Sequence, residues 1–315
     1  RGSGPVWELP VALRDDIDAI TFQTLGEGRE LTWEESLAVN FTDAVLVLHR
    51  GSIVYERYLG VTRQDTPHIA FSVTKSFVGT VAEMLVQEGR LDPNAPVAEL
   101  LPEMAGSGFA DATLQQVMDM TTALDFSEEY TDPSSGIGAM SNALGLTPRA
   151  PGYTGPGDVY GFLPTIRKNG NHGERFTYRT CNTEVLGWIV ARTEGKRIDQ
   201  VLSERIWGPL GMEQDADFLI DSTGMPFAGG GLNPVLRDMA RFGETMRCDG
   251  YGNGGQKIAR AAVSAIKAGG SKAAFAPAGY QWLQDGSYTR QWWIMPGNEG
   301  AFSARGIHGQ AIYVD

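Results

Sequence analysis

The chain is poor in the residues that several chemistries require. Two cysteines in 315 residues, Cys181 and Cys248, give no disulfide framework and no metal-ligand spacing. Four histidines, His49, His68, His172 and His308, form neither H-E-x-x-H nor a Cys/His pairing, so no metal site is expected. No apolar run approaches the roughly 18 residues of a membrane-spanning helix. There is no G-x-S-x-G, which argues against an α/β-hydrolase triad, and no phosphate-cradling glycine loop opens a helix. Positive charge is scarce as well: a formal net charge of −12 argues against a nucleic-acid surface. Arg1-Gly2-Ser3-Gly4-Pro5 lacks the apolar core of a signal peptide and resembles a trimmed end. The expected location is cytoplasmic, with export left open. No cofactor is expected.

What is present is the composition of a globular protein, 42% hydrophobic and 20% charged, large enough for one big domain or two intertwined ones. Forty glycines and 16 prolines point to many tight loops. Asp43–His49 and Ile53–Tyr58, around Arg50-Gly51-Ser52, read as a hairpin, and the apolar first strand reads as buried on both faces. Helical spacing then dominates to about Met246, and strand signals return at Tyr280–Leu283, Tyr288–Met295 and Gln310–Val314. The order predicts an α+β fold: one antiparallel sheet from both chain ends, flanked by helices, with a mostly helical inserted domain. The expected division is 1–100 with 247–315 for the sheet and 101–246 for the insertion, the active site lying in the groove between them.

Ala70-Phe71-Ser72-Val73-Thr74-Lys75 opens a helix whose apolar positions continue at Phe77, Val78, Val81, Met84 and Leu85 and which stops near Gly89. Positions i and i+3 share a helix face, so the Ser72 hydroxyl and the Lys75 amine can meet. A hydroxyl becomes a nucleophile only when a base takes its proton, and a lysine serves only if its pKa falls. The helix N-terminus adds free N–H groups where an oxyanion would form. The spacing alone is weak, because about one S-x-x-K arises by chance in a chain this long. A second, Ser264-Ala265-Ile266-Lys267, reads as one exposed helical turn.

Two further stretches strengthen the first. Tyr178, in Phe176–Asn182, sits just before a helix that Asn182 or Thr183 is expected to cap, and a phenol there can relay a proton to a leaving group. Ser303-Ala304-Arg305-Gly306-Ile307-His308-Gly309-Gln310 reads as a glycine-punctuated strand or an edge bulge, with an N–H able to complete an oxyanion hole with that of Ser72. His308 reads as structural or as a neighbour of substrate rather than as a general base.

The order of Ser72-Val73-Thr74-Lys75, Tyr178 and the late glycine-rich strand resembles the serine β-lactamase and penicillin-recognising superfamily. Glu129-Tyr130-Thr131-Asp132-Pro133, Arg237–Arg241, Gly286–Trp293 and Gly306–Gln310 look most like its 6-aminohexanoate-dimer (nylon oligomer) hydrolases and class C β-lactamase-like carboxylesterases. The resemblance implies a β-lactamase/transpeptidase-like fold and an acyl-enzyme on Ser72, with Lys75 as base and Tyr178 as proton relay. It also implies that the Ile307 N–H joins that of Ser72 in the oxyanion hole. Tyr130 would close over substrate on a mobile loop, and Trp293 would line the acyl pocket. Thr180 stands where the superfamily usually has Asn, and Ala304-Arg305-Gly306 replaces the usual K-T-G, which argues against an efficient β-lactamase. The resemblance implies a further strand and helix beyond Asp315. The expected activity is hydrolysis of short carboxylic esters and of linear amides such as 6-aminohexanoate oligomers. A β-lactamase, a D-alanyl peptidase-type enzyme and a non-catalytic ligand-binding protein are the alternatives. The expected partner is a small-molecule ester or amide, with no nucleic acid and no membrane; a homodimer stays open.

Overall fold

Arg50 and Gly51, with φ of 51° and 83°, make the two-residue turn whose twist suits a β-hairpin. It joins strand β1 (Ala44–His49) to β2 (Ser52–Tyr58), with a register shift at Val47/Leu48. The structure, a computed structural model, describes residues 4–25, 28–297 and 300–315. Ahead of the hairpin, Thr32 caps helix α1 (Trp33–Val39) in a reciprocal capping box with Glu35. β1 departs from the expected two-sided burial: Ala44–Leu48 are only partly buried. Among the described residues it pairs with β2 alone, so its other edge has no strand partner.

Helix α2 (Val73–Gln87) follows, with Val73 to Leu85 all buried and Gly89 in the left-handed region just beyond it. Next come α3 (Leu114–Met118), capped by Thr113, and α4 (Gly136–Leu144), capped by Ser135. Helix α5 (Thr180–Glu194) ends at Gly195, whose φ of 67° suits a glycine. α6 (Leu236–Arg247) and α7 (Arg260–Lys267) precede the last strands. Between α5 and α6 the helical path beginning at Ile198 runs on past Pro209 to Leu210. Proline is tolerated there because it occupies the first turn of the final segment.

The C-terminal strands are β3 (Ser287–Thr289), β4 (Trp292–Ile294), β5 (Phe302–Arg305) and β6 (Ala311–Val314), in the order β6-β5-β4-β3, all antiparallel. The class is therefore α+β with an antiparallel sheet flanked by helices. One detail differs from expectation: among the described residues the strands of the two chain ends form separate ladders, not one. Side-chain packing links them instead, because α6 lies against both β1 and β6. Phe242 of α6 stacks on Phe77 of α2 at 3.9 Å and packs on Trp292 of β4 at 5.9 Å. One continuous apolar cluster runs from α2 through Met118, Leu186 and Val190 to Trp292, Phe302 and Ile312. Helix α2 thus sits at the centre of the molecule.

Two sequence signals resolve differently. Gln281–Leu283 is a single helical turn, not a strand. Its alternating aromatics are used from a turn: Tyr280 and Trp282 both pack on Trp293, at 5.3 and 5.5 Å. The run Tyr288–Met295 is broken by Arg290 and Gln291, with φ of 50° and 67°. That turn is held down by α2, where Ser76 Oγ donates to Gln291 O at 2.7 Å. Arg290 Nε also donates to the buried Glu83 at 2.6 Å. A Cβ on Gly79 would lie 2.2 Å from Arg290 O, so only glycine lets the turn approach. Gly79→Ala is expected to cost about 3 kcal/mol as overpacking, read as a fall in urea midpoint at unchanged slope. A midpoint equal to that of the parent would disprove this account of how α2 and the β3–β4 hairpin are docked.

Candidate active site

Ser72 stands at the junction of a strained turn and α2. Phe71 before it has φ of 43°, unusual for a bulky residue, and Ser72 itself is the N-cap. The turn is secured from behind: Ala70 N donates to Leu232 O at 2.8 Å and Leu232 N to Thr74 Oγ1 at 3.2 Å. The first-turn N–H groups of Val73, Thr74 and Lys75 are satisfied within the turn. Among the described residues the Ser72 N–H has no hydrogen-bond partner.

One turn on, Lys75 Nζ lies 3.1 Å from Ser72 Oγ and donates to Gly229 O at 2.5 Å. Lys75 is 1% exposed. Burial lowers its pKa to about 8, against the opposing pull of Glu128, Glu184 and Cys181. The second S-x-x-K has none of this: Ser264 is exposed on α7 and Lys267 pairs with Asp249 at 2.6 Å.

Tyr178 precedes Arg179, the N-cap of α5, so its ring projects from the loop as expected. Its ring lies 5.4 Å from Lys75 Nζ and stacks on Trp293 at 5.5 Å and 18°. Burial, then Tyr288, pushes the phenol well above its ordinary value, and hydrogen bonding to Ser72 pulls the other way. A phenol so placed is neutral, suited to passing a proton and unsuited to serving as phenolate. Trp293 is 7% exposed within a cluster that includes Phe176, Phe275 and Tyr288. The stacking contact places it behind Tyr178.

The cap of α5 corrects the sequence reading. Asn182 and Thr183 are buried inside the first turn, where Asn182 accepts from Thr122 at 2.7 Å and Thr183 donates to Gln291 at 2.8 Å. The helix starts earlier because Glu128, from a distant loop, accepts from the N–H of Thr180 at 2.9 Å and from its hydroxyl. Tyr130, 49% exposed, donates its hydroxyl to the same carboxylate at 2.7 Å. Tyr130 and Tyr178 are thereby linked through Glu128 and the start of α5.

Of the stretch expected as a glycine-punctuated strand or bulge, residues 303–305 end β5 and residues 306–310 form the turn into β6. Gly306 is pressed against the nucleophile turn, since a Cβ on it would lie 2.9 Å from Ala70 O. Its N–H donates to Gln310 O at 2.7 Å, and that of His308 to Gln310 Oε1 at 3.2 Å. Among the described residues the Ile307 N–H between them has no partner. The exposed His308 packs edge-on against Phe71 at 5.2 Å. At the K-T-G position Arg305 lays its guanidinium over Trp282 at 4.3 Å. The structure thus gathers Ser72, Lys75, Tyr178 and Tyr130, sets Trp293 behind them, and brings the turn bearing Ile307 and His308 against Phe71.

Glu128, Glu184 and Gly229 were not legible in the sequence. Glu128 adjoins Glu129 in a loop, and nothing in the spacing says which carboxylate turns inward. A cleft of about 610 Å³ lined in part by Lys196, Arg197 and Trp207 shares none of these residues. Among the described residues no helix is long and apolar enough to cross a membrane.

Comparison with known proteins bears on this geometry. The Beta-lactamase family profile matches residues 38–315. The chain belongs to that family. It is 40% identical over 283 residues to the 6-aminohexanoate-dimer hydrolase of Paenarthrobacter ureafaciens, covering 90% of this chain and 71% of that one. A Bacillus anthracis protein provisionally assigned as a 6-aminohexanoate-dimer hydrolase superimposes with a TM-score of 0.87 at 32% identity, over 98% of this chain and 79% of that one. EstCE1, a hydrolase with promiscuous acyltransferase activity, shares the fold at 16% identity and a TM-score of 0.66, over 88% and 87% of the two chains.

Proposed function

We propose that the protein is a serine hydrolase that cleaves short carboxylic esters and linear amides, 6-aminohexanoate oligomers among them, through an acyl-enzyme on Ser72. The observation that carries this reading is the 3.1 Å approach of a buried Lys75 amine to the Ser72 hydroxyl. Kinship with a 6-aminohexanoate-dimer hydrolase at 40% identity supports the amide class. In this reading Lys75 takes the Ser72 proton as Oγ attacks the carbonyl carbon. The oxyanion turns toward the N–H groups of Ser72 and Ile307, neither of which has a hydrogen-bond partner among the described residues. Tyr178 hands a proton to the departing oxygen or nitrogen and regains one from the Lys75 ammonium, with Tyr130 beside the leaving group, and water then releases the acyl group. The K-T-G position has no lysine to meet a β-lactam carboxylate, and Arg305 there is stacked on Trp282, which favours linear substrates over β-lactams.

Incubation with a short p-nitrophenyl ester, followed by mass spectrometry of the quenched protein, tests the reading. The expected adduct is on Ser72 and is absent from Ser72→Ala. An adduct elsewhere, or full turnover by Ser72→Ala, would overturn it. Rapid turnover of a chromogenic cephalosporin without esterase activity would replace it by a β-lactamase.

A further inference from the structure

Glu184 is a fully buried acid that the mechanism above does not use. It lies on α5 just over one turn beyond Thr180, is 1% exposed, and among the described residues forms no ion pair. Its Oε1 accepts the Gly229 N–H at 2.5 Å, while the carbonyl of that same glycine accepts from Lys75 Nζ at 2.5 Å. Gly229 is thus held between the two central helices by both of its polar groups. No side chain fits there: a Cβ would lie 2.4 Å from Thr180 Cγ2 and 2.8 Å from Glu184 Oε1. The titratable groups that act on Glu184 are Lys75 from α2, Tyr160 from the turn Val159–Phe162, and Asp221 from the segment after Phe218.

We propose that Glu184 is a positioning residue for the base: by holding the Gly229 N–H it presents the Gly229 carbonyl to Lys75 and so aims the amine at Ser72. The inference rests on the reading of Lys75 as base. A neutral lysine amine has two N–H bonds and one lone pair. With one N–H spent on Gly229 O, the lone pair is free to take the Ser72 proton. The ammonium that results keeps the same acceptor, so the proton transfer needs no movement of the loop. Burial pushes the Glu184 carboxyl up to about 8, so near neutrality it holds the glycine largely as a neutral acid. A glutamine offers the same acceptor oxygen with no charge; a methionine fills the space and offers neither.

The test compares the parent with Glu184→Gln and Glu184→Met, measuring the acylation burst with a p-nitrophenyl ester as a function of pH. The Met variant is expected to lose about 10²-fold in acylation rate, as for a misaimed catalytic group, with little change in KM and a displaced alkaline-rising limb. The Gln variant is expected to lose about tenfold or less, its midpoint unchanged or lowered because the Glu184 charge that raises the Lys75 pKa is gone. A folded Met variant acylating at the parental rate overturns the proposal, as do equal losses in Gln and Met. If the Met variant does not fold, the Gln variant decides alone: a loss of about 10²-fold overturns it. Failure of the underlying reading is distinct, because the parent itself would then form no Ser72 adduct.

Discussion

Lys75→Met is expected to abolish acylation while making the protein more stable at neutral pH. The loss should reach about 10³-fold or more, since the substitution removes the amine that lies 3.1 Å from the Ser72 hydroxyl. The gain in stability follows from linkage. The Lys75 pKa is lowered from 10.5 to about 8, so between those values the unfolded chain holds a proton that the folded one does not. Stability therefore rises with pH through that window, and below about 8 the fold carries the whole penalty, about 3 kcal/mol. Methionine removes the penalty but leaves Gly229 O without its donor, which offsets about 1 kcal/mol. Glu184 works in the opposite sense. With its pKa raised from 4.5 to about 8, it is the folded chain that holds the extra proton, and stability falls as pH climbs through that range. Together the two groups contribute a dip in stability near pH 8, and Lys75→Met should remove its alkaline side. Urea midpoints across neutral and alkaline pH, with burst kinetics on the same samples, check both parts. A variant that keeps most of its acylation rate would show that Lys75 is not the base.

How much of this was legible in the sequence depended on whether the partners were local. Ser72 and Lys75 are one helical turn apart, and Tyr178 precedes the N-cap of a helix, so pattern alone could nominate them. The Arg50-Gly51 turn and the Gly89 stop were legible for the same reason: each is decided by backbone preferences within a few residues. The errors came where a distant group overrode a local preference. Asn182 and Thr183 are good caps by type, yet Glu128 arrives from another loop to serve Thr180, and the helix starts there. The aromatics of Tyr280–Leu283 alternate like a strand, but Trp293 collects them from a turn. Tyr288–Met295 reads as one strand until the Gln291 side chain is seen spent on Thr183 and Met118, which requires a turn there. Glu184 and Gly229 carry no local signal, because their relation to Lys75 spans two helices and a loop.

Tyr178→Phe is expected to separate amides from esters. Phenoxide leaves an acyl carbon without help, whereas an amide nitrogen must gain a proton as its bond breaks. The fold should tolerate the change, because stacking on Trp293 at 5.5 Å and the edge contact with Tyr288 at 6.2 Å involve the ring and not the hydroxyl. Hydrolysis of a p-nitrophenyl ester should fall about tenfold, and that of a linear amide with the same acyl group about 10³-fold or more. Tyr130→Phe should show the same preference more weakly, since the Tyr130 hydroxyl must first leave Glu128, to which it donates at 2.7 Å. Values of kcat/KM for the matched ester and amide, measured on parent and both variants, provide the check. Equal losses on the two substrates would remove Tyr178 from the role of proton donor to the leaving group. Loss of all ester acylation in Tyr178→Phe, alongside retained acylation in Lys75→Met, would move the base from the amine to the phenol. The upward shift of the Tyr178 pKa opposes that outcome, because a buried phenol held well above its ordinary value is almost never ionised where Lys75, at about 8, is neutral part of the time.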